Sequence, residues 1–549
     1  SLGEFELHPS LMDAALQASL GMMIGNKKSS EKLMLPFALD VLEVLSACTS
    51  NMWVSIKSSQ EQSSDGVQKL DITLCDKEGK VCVVIKGFSS RLLEGTLNFD
   101  KQSSLITESL ITLAPIWKPI RIESTLPLDL SSNIVIIGGT HLHQTSIQSQ
   151  YSHSRYITID SASSIQEITQ LIGVEPIEHL IWIAPGPNFS SVIKDDLIND
   201  QHQGVLYVFK LLKALLLLGY GTKSLNLTAI TFNAQSLNNN DPIDPTHASI
   251  HGLIGSLAKE YNNWNVRLLD LESNDELALQ SIIPFNPAGN AYLHRNGEWF
   301  QQTLIPVANT SLLPDEARYH KGGVYVVIGG AGGIGEVWSR WMIEHYQAHI
   351  IWIGRREKNT DIQAKIDSVT KNGLLPEYVQ ADATNLDSLQ KVYEEIKSKH
   401  SHINGVIHSA IVLSDATIAT MTEEQFKGSL SAKIDICVRL AQVFGKEALD
   451  FVLFFSSMQS FMKAPGQSNY AAGCIFKDAF AKALSQVITC KVKVINWGYW
   501  GSVGIVADSF YQERMSKAGI GSIEPEEGMK AINILMNNQV NDERLLLEW

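Results

Sequence analysis

Apolar runs of strand length alternate with helical patterns along two successive stretches of the chain, and no other sequence feature constrains the fold as strongly. The first stretch extends from about Pro115 to Pro306 and the second from Gly323 to the C-terminus. Such alternation is typical of a parallel sheet with helices on its faces. The predicted strands are Ile134–Ile137, His179–Ala184, Asn226–Phe232, Val266–Leu271, Val324–Ile328, His349–Ile353, Tyr378–Ala381, Gly405–His408, Phe451–Ser456 and Val492–Trp497. We therefore expect two Rossmann-like, doubly wound α/β units.

Length, charge and cysteine spacing exclude several classes of protein. A chain of 549 residues is too long for one hydrophobic core. A net charge of −14 argues against nucleic-acid and anionic-membrane partners, and no apolar run is long enough to cross a bilayer. The six cysteines are scattered without a C-x-x-C pair, so we expect no disulfide framework, no metal site and a cytoplasmic location. Because the chain opens at Ser1 without Met, we expect a fragment of a larger protein.

A glycine-rich loop follows the predicted strand Val324–Ile328 and precedes a helical stretch that begins near Glu336. The loop consists of Gly329, Gly330, Ala331, Gly332, Gly333, Ile334 and Gly335. Glycines there permit a tight turn, let the backbone approach a pyrophosphate and let the helix pack against the strand. The helix N-terminus adds free N–H groups and a positive dipole end. The position between strand and helix predicts a dinucleotide site.

Two arginines follow the next predicted strand, where an NAD-dependent enzyme usually has an acidic residue. His349–Ile353 continues into Gly354, Arg355 and Arg356. Guanidinium groups suit the 2′-phosphate of NADP, because each offers a permanent charge and a bidentate fork. The alternative is a solvated surface pair. The position favours NADPH as the cofactor.

A serine and a tyrosine lie close together in sequence at the end of the predicted strand Phe451–Ser456. Ser457 follows this strand, and Tyr470 comes thirteen residues later. With Ile407–Ala410 and Asn496–Gly501, these motifs resemble the short-chain dehydrogenase/reductases. Within that family the chain is most similar to ketoreductase domains of bacterial modular polyketide synthases, of the trans-acyltransferase type. The similarity extends from Trp117 almost to the C-terminus.

The resemblance assigns a catalytic role to three residues. Tyr470 would donate a proton to the developing alkoxide, and the family's lysine matches Lys433, whose charge would lower the pKa of the tyrosine. Ser457 would hydrogen-bond the carbonyl oxygen. Each residue alone is more often structural than catalytic. The resemblance places four further residues at the cofactor: Asp382, Ala383, Ser409 and Ala410.

Two positions depart from the family, and three bear on stereochemistry. The usual Thr before the glycine loop is Ile328, and the usual Asn four residues after the tyrosine is Cys474. Leu413 and Asp415 retain part of a Leu-Asp-Asp motif, and Met462 replaces the Trp of the opposite class. This pattern resembles B-type ketoreductases, which give a D-configured hydroxyl. Asp415 could equally be a helix N-cap.

The first segment resembles the C-terminal half of a polyketide synthase dehydratase, a hot-dog-like α+β fragment. Asp13 would be its catalytic acid and Gln17 the partner of Asp13, while the histidine base belongs to an absent half, so the fragment alone should not dehydrate. The segment from 113 resembles the structural subdomain of the same ketoreductases, a truncated Rossmann unit without a cofactor. The predicted domains are 1–100 for the dehydratase fragment, 101–112 for a linker, 113–318 for the structural subdomain and 319–549 for the catalytic subdomain.

The resemblance implies reduction of a keto group on an acyl chain carried by the phosphopantetheine of an acyl carrier protein, with neighbouring polyketide synthase domains as partners. Two alternatives stay open: a degraded, reductase-like docking scaffold, and a free-standing reductase of small metabolites. Retention of Lys433, Ser457 and Tyr470 disfavours the scaffold. The structural subdomain and the dehydratase fragment disfavour the free-standing enzyme.

Overall fold

A computed structural model of the chain describes most residues of both predicted α/β stretches and parts of the first segment. The described residues are 7, 9–18, 34–49, 51–59, 67–92, 111–121, 133–151, 154–186, 189–272, 283–307, 319–371, 373–504, 507, 509–517, 519–536 and 544–548. The chain divides into two compact units, Ser1–Thr107 and Glu108–Trp549. The division falls inside the predicted linker. The boundary between 318 and 319 within the second unit stays a prediction.

The first unit is an antiparallel sheet with one helix. Its described elements are α1 (Pro9–Ala18), β1 (Met34–Ala38), β2 (Val41–Val44), β3 (Trp53–Ser58), β4 (Val67–Cys75) and β5 (Val81–Leu92). The strand order is β1-β5-β4-β3, and β2 also pairs with β5. Ala15 of the helix is buried with Ile72 and Val83 of the sheet. Residues 76–80 connect the antiparallel strands β4 and β5, and the α+β character of this fragment is confirmed.

The first half of the second unit has the predicted alternation. Its strands are β6 (Ile111–Ile120), β7 (Ile134–Gly138), β8 (Arg155–Tyr156), β9 (His179–Ile183), β10 (Leu225–Phe232), β11 (Trp264–Leu271), β12 (Ala291–Arg295) and β13 (Glu298–Pro306). Its α-helices are α2 (His141–Gln150), α3 (Ile165–Ile172), α4 (Asp196–Asn199), α5 (Val205–Leu217) and α6 (Ser249–Glu260). Strands β7 to β12 are paired in parallel. Continuous apolar strands such as Ile134–Gly138 are buried because helices cover both faces of such a sheet.

The second half repeats the architecture with one more strand at its outer edge. Its strands are β14 (Val324–Ile328), β15 (His349–Gly354), β16 (Glu377–Gln380), β17 (Gly405–His408), β18 (Phe451–Ser457), β19 (Lys491–Trp497) and β20 (Arg544–Glu548). Its helices are α7 (Gly333–Tyr346), α8 (Thr360–Val369), α9 (Leu386–Lys399), α10 (Glu423–Ser431), α11 (Ile434–Phe444), α12 (Gln459–Met462), α13 (Ser468–Ser485), α14 (Ser509–Lys517) and α15 (Pro525–Met536). The strand order begins β16-β15-β14-β17-β18-β19, which is the dinucleotide-binding order of a doubly wound sheet.

The two halves share one sheet, which the strand pattern did not predict. Strand β6 pairs antiparallel with β13 on one side and with β20 on the other, so the described strands of the unit form a single fifteen-stranded sheet. Helices α6 and α13 also pack against each other across the halves. Among the described strands, the order β8-β7-β9 has none that corresponds to β16, in agreement with the predicted truncation of the first half.

Candidate active site

The glycine-rich loop connects β14 to α7 at the C-terminal edge of the parallel strands. Gly332 is the N-cap of α7, and no side chain caps this end of the helix. The N–H groups of the first turn are therefore available to an external acceptor, and the dipole favours an anion there. The chemistry of this helix end fits the pyrophosphate of a dinucleotide.

A groove of about 730 Å³ extends from this loop along the ends of β15 and β17. Most of the predicted cofactor residues lie in its wall. They are Gly329, Ala331, Gly332, Gly333, Arg355, Arg356, Asp382, Ala383, Ser409 and Ala410. The three remaining loop residues are outside this wall: Ile334 lines the adjacent cavity, and Gly330 and Gly335 line neither space.

Gly330 serves packing and does not contact the groove. A Cβ atom at this position would lie 2.1 Å from Cδ1 of Trp352. The Trp352 ring is fully buried on β15, and its Nε1 donates a hydrogen bond to Oγ of Ser339 at 2.8 Å. The ring is thus held from behind, and only glycine lets the loop lie against it.

Cationic side chains surround one part of the groove. Arg355 and Arg356 follow β15 and are exposed. Lys365 of α8, which the sequence analysis missed, also lines the groove; its Nζ donates to the carbonyl oxygen of Ala331 at 2.7 Å and lies 3.9 Å from Oε2 of Glu336. No motif marks this lysine, because its role depends on α8 folding back over the glycine-rich loop.

A smaller cavity of about 210 Å³ adjoins the groove, and the three predicted catalytic residues all line it. Ser457 ends β18, Tyr470 lies in the first turn of α13, and Lys433 immediately precedes α11. A Cβ atom on Gly473 would lie 2.5 Å from Cδ of Lys433, so the missing side chain gives the lysine its path to the tyrosine. Three separate elements thus converge on one point.

The charge of Lys433 faces the ring of Tyr470. Its Nζ lies 4.2 Å from the ring centroid, within cation–π range. Burial nevertheless raises the pKa of Tyr470 well above its usual value, Cys474 adds to the rise, and the hydrogen bond with Ser457 opposes it. The lowering of this pKa by the charge of Lys433 stays a prediction, and loss of hydration of the phenolate acts against it.

Cys474 occupies the position of the family's asparagine and contacts both Tyr470 and Lys433. It lies one helical turn after Tyr470 and is fully buried. Burial raises the pKa of its thiol, while a hydrogen bond and the charge of Lys433 act in the opposite direction. The thiol is therefore a packed group that contacts the lysine.

The three predicted stereocontrol residues lie in different surroundings. Leu413 lines the cavity, whereas Met462 and Asp415 do not. Oδ2 of Asp415 accepts a hydrogen bond from Nε2 of Gln467 at 2.6 Å. No helix follows Asp415: the next begins at Glu423 with Thr422 as its cap, so the N-cap alternative is wrong. Cavity residues that sequence reasoning did not single out include Gln459, Gln467, Tyr511 and Met515.

The dehydratase residues of the first unit lie on α1. Nε2 of Gln17 donates to Oδ2 of Asp13 at 2.8 Å, and both side chains are exposed. Among the residues that the structure does describe, no group of three or more His, Cys, Asp or Glu side chains could hold a metal ion. No helix within the same ranges has the length and apolarity needed to cross a membrane.

Comparison with known protein families decides the class of the second half. A family model described as "KR domain" matches residues 323–502, which include the glycine-rich loop, Lys433, Ser457 and Tyr470. Residues 323–502 belong to the ketoreductase domain family of polyketide synthases. The short-chain reductase class and oxidoreductase character predicted for this ketoreductase domain are thereby confirmed.

The first unit matches a second family model. It is described as "Polyketide synthase dehydratase N-terminal domain" and covers residues 1–97. This match confirms a dehydratase fragment ahead of the ketoreductase domain. The description names the N-terminal domain, so it does not support our assignment of the fragment to the C-terminal half.

Curated relatives contain the whole arrangement within much longer chains. Polyketide synthase PksN of Bacillus subtilis (strain 168) is 46% identical over 99% of this chain, and PksM of the same organism is 43% identical over 98%. Polyketide synthase ThaG of Burkholderia thailandensis is 33% identical over 96%. The chain spans about a tenth of the length of these relatives, namely 10%, 13% and 10%.

Solved structures share the fold of the second unit. The structure titled as an N-terminal ketoreductase from the macrolactin assembly line has a TM-score of 0.66 at 18% identity, over 83% of this chain and 95% of that one. A ketoreductase domain from the bacillaene assembly line has a TM-score of 0.61 at 20% identity, over 80% and 96%. At such identities the likeness concerns the fold alone.

Proposed function

We propose that the chain reduces a keto group of an acyl chain tethered to an acyl carrier protein, with NADPH as the reductant. The observation that supports this most directly is the cavity in which Lys433, Ser457 and Tyr470 meet beside the nucleotide groove. A proton donor, an oxyanion donor and a cation next to a dinucleotide groove are the groups that carbonyl reduction needs.

The residues around the groove fit NADPH. The uncapped N-terminus of α7 would hold the pyrophosphate, and Arg355 and Arg356, with Lys365 nearby, would hold the 2′-phosphate. An acidic residue in place of Arg355 would repel that phosphate, so the pair favours NADPH over NADH. When bound, the cofactor supplies the hydride that adds to the carbonyl carbon.

The protein's own side chains would handle the oxygen of the ketone. The hydroxyl group of Ser457 would donate a hydrogen bond to the carbonyl oxygen as negative charge develops there. The hydroxyl group of Tyr470 would transfer its proton to the same oxygen, which completes the alcohol. The nearby positive charge of Lys433 would stabilise the resulting tyrosinate. The raised pKa keeps Tyr470 protonated, and hence able to donate, at neutral pH.

The expected product is a D-configured hydroxyl, as in B-type ketoreductases. Leu413 lines the cavity, and Asp415 is tied to Gln467 at its edge. The substrate would arrive on the phosphopantetheine arm of an acyl carrier protein, and adjacent polyketide synthase domains would be the other partners. The relatives named as polyketide synthases support this context.

A second candidate function is a docking module without turnover. Cys474 replaces the asparagine of the family, and it raises the pKa of Tyr470 together with burial. A weaker proton donor is what a degraded active site would have. The retention of all three catalytic side chains in one cavity favours the enzyme.

The deciding experiment measures NADPH consumption with a β-ketoacyl-N-acetylcysteamine thioester, with NADH in parallel. The native chain should turn over with NADPH, and Tyr470→Phe should lose about 10²- to 10⁴-fold in rate while it still binds the cofactor. Bound cofactor without turnover in the native chain, also with an acyl carrier protein substrate, would support the docking module instead.

A further inference from the structure

Glu260, the last residue of α6, connects the half without catalytic residues to two loops at the cavity. Its Oε2 accepts a hydrogen bond from the backbone N–H of Ile418 at 2.9 Å, and its Oε1 accepts one from the N–H of Gly466 at 2.8 Å. These partners belong to the 411–421 loop and the 463–467 loop. One carboxylate therefore joins both loops.

Both loops contribute to the wall of the cavity. Ile411 and Leu413 come from the 411–421 loop, and Gln467 comes from the 463–467 loop. The loops also contact each other directly, because Gln467 donates to Asp415 and the N–H of Ala416 donates to the carbonyl oxygen of Gly466 at 3.0 Å. The spacing of the loops thus fixes the width of the cavity on the side of Leu413.

Lysines of the same half bind backbone carbonyl groups near these positions. Nζ of Lys213 donates to the carbonyl oxygens of Ala419 at 2.5 Å and Met421 at 3.0 Å. Nζ of Lys259 donates to the carbonyl oxygen of Met462. Both ends of the two-loop arrangement are therefore held by α5 and α6, and Glu260 lies between them.

The two N–H donors require two acceptor oxygens at one point, which explains why this residue is a carboxylate. Burial raises the pKa of Glu260, and the two backbone hydrogen bonds oppose that rise. Glutamine has the same shape but only one acceptor oxygen, and its NH₂ group would face an N–H donor. Replacement by glutamine should release one loop at almost no steric cost.

We propose that Glu260 is a positioning residue that sets the spacing of the 411–421 and 463–467 loops and, through it, the face of the ketone that is reduced. The proposal rests on the proposed ketoreductase function. Glu260 itself lines neither the groove nor the cavity, so it acts on the substrate only through the loops.

The test compares Glu260→Gln with Glu260→Asp and Asp195→Asn in the full chain. Asp195→Asn is the matched control, because Asp195 also ties the two halves together, through Arg439 at 2.5 Å and 3.2 Å, but contacts neither loop. The readouts are the enantiomer ratio of the β-hydroxyacyl product, KM and kcat, and amide hydrogen exchange of peptides that contain Ile418 and Gly466. Cofactor affinity serves as the check that each variant is folded.

Glu260→Gln should raise the fraction of the minor enantiomer about fivefold or more, raise KM more than it lowers kcat, and speed exchange at both loops. Glu260→Asp should show smaller changes, and Asp195→Asn should leave the enantiomer ratio and loop exchange as in the native chain. An unchanged enantiomer ratio in Glu260→Gln, or equal changes in Asp195→Asn, would overturn the proposal. Absence of turnover in the native chain would count against the proposed function, whereas loop exchange would still show whether Glu260 positions the loops.

Discussion

The Nζ atom of Lys433 lies over the ring of Tyr470, 4.2 Å from its centroid, and Cys474 contacts both residues from the next turn of α13. The thiol is the second-largest cause of the raised pKa of Tyr470, after burial. The identity of residue 474 therefore bears directly on the acidity of the proposed proton donor.

Cys474→Asn should lower the pKa of Tyr470, because it removes a group that disfavours the phenolate. Since the protonated tyrosine is the active form in reduction, the alkaline limb of the pH profile of kcat/KM should move to lower pH. A more acidic donor should also raise kcat at neutral pH by about two- to tenfold. The measurement is the rate of NADPH oxidation from pH 6 to pH 10.

Cys437→Ser is the matched control for this prediction. Cys437 is also a buried thiol that interacts with the charge of Lys433, but it does not contribute to the pKa shift of Tyr470. Its replacement should leave the alkaline limb in place. Equal shifts in both variants, or none in Cys474→Asn, would rule out a role of Cys474 in tuning the tyrosine.

Two glycines of the same loop should respond differently to alanine. In Gly330→Ala the new methyl group would meet the buried Trp352 ring at 2.1 Å, and overpacking of this kind costs about 1–3 kcal/mol. In Gly332→Ala the nearest atom is the carbonyl oxygen of Gly329 at 3.1 Å, and the methyl group would point toward a residue that lines the groove. Gly330→Ala should therefore lower the melting temperature of the cofactor-free protein, and Gly332→Ala should mainly raise the Kd for NADPH.

Differential scanning fluorimetry without cofactor and a fluorescence titration with NADPH separate the two effects. The assignment of Gly330 to packing fails if Gly330→Ala melts like the native chain and loses only cofactor affinity. The assignment of Gly332 to cofactor binding fails if Gly332→Ala melts several degrees lower than the native chain and the folded variant binds NADPH normally.

The strands and the catalytic cavity were predictable because their signals are local in sequence. The apolar runs at Val324–Ile328 and Phe451–Ser457 are buried strands, and the glycine-rich loop lies between a strand and a helix as its spacing requires. The family motifs placed Lys433, Ser457 and Tyr470 in register, and the structure brings these three side chains to one cavity. Local patterns of this kind survive in any doubly wound unit.

Other features depend on contacts that no local pattern records. Apolar periodicity identifies β6 and β20 at best as strands, but it does not specify that they pair and merge two sheets into one. Glu260 binds backbone N–H groups that lie 158 and 206 residues further along the chain, and backbone donors have no residue type to recognise. Lys365 belongs to the groove only because α8 folds back on the glycine-rich loop.

Removal of the arginines at the end of β15 should change cofactor preference. Arg355→Ala with Arg356→Ala would delete the charge-assisted donors available to a 2′-phosphate, and each such hydrogen bond contributes about 1.5–3 kcal/mol. The Kd for NADPH should rise by about 10- to 100-fold, whereas the Kd for NADH should change little. Isothermal titration with both dinucleotides measures the ratio.

Lys371→Ala is the control for charge alone, because Lys371 pairs with Glu344 at 3.0 Å and does not line the groove. The affinity of the Lys371→Ala variant for NADPH should match that of the native chain. Parallel losses of NADPH and NADH affinity in the double arginine variant would place the arginines elsewhere than at the 2′-phosphate.

Lys477 should make the stability of the protein depend on pH. It is fully buried on α13, where its Nζ donates to the carbonyl oxygen of Phe455 at 3.0 Å and lies 3.4 Å from Nδ1 of His408. Burial, reinforced by the charge of Lys433, lowers the pKa of Lys477 to about 7. Between this value and the ordinary value of 10.5, the unfolded chain holds a proton that the folded chain lacks.

The free energy of unfolding should therefore rise with pH across that window, by up to about 1.4 kcal/mol per pH unit from this one group. Lys477→Met removes the titrating group and should reduce the gain in urea midpoint between pH 7 and pH 9. Lys530→Met is the control, because Glu526 raises the pKa of the exposed Lys530 and that lysine stays protonated in both states over this range. If the midpoint of Lys477→Met rises from pH 7 to pH 9 as steeply as that of the native chain, Lys477 is charged in the folded protein and is a second buried cation near Lys433.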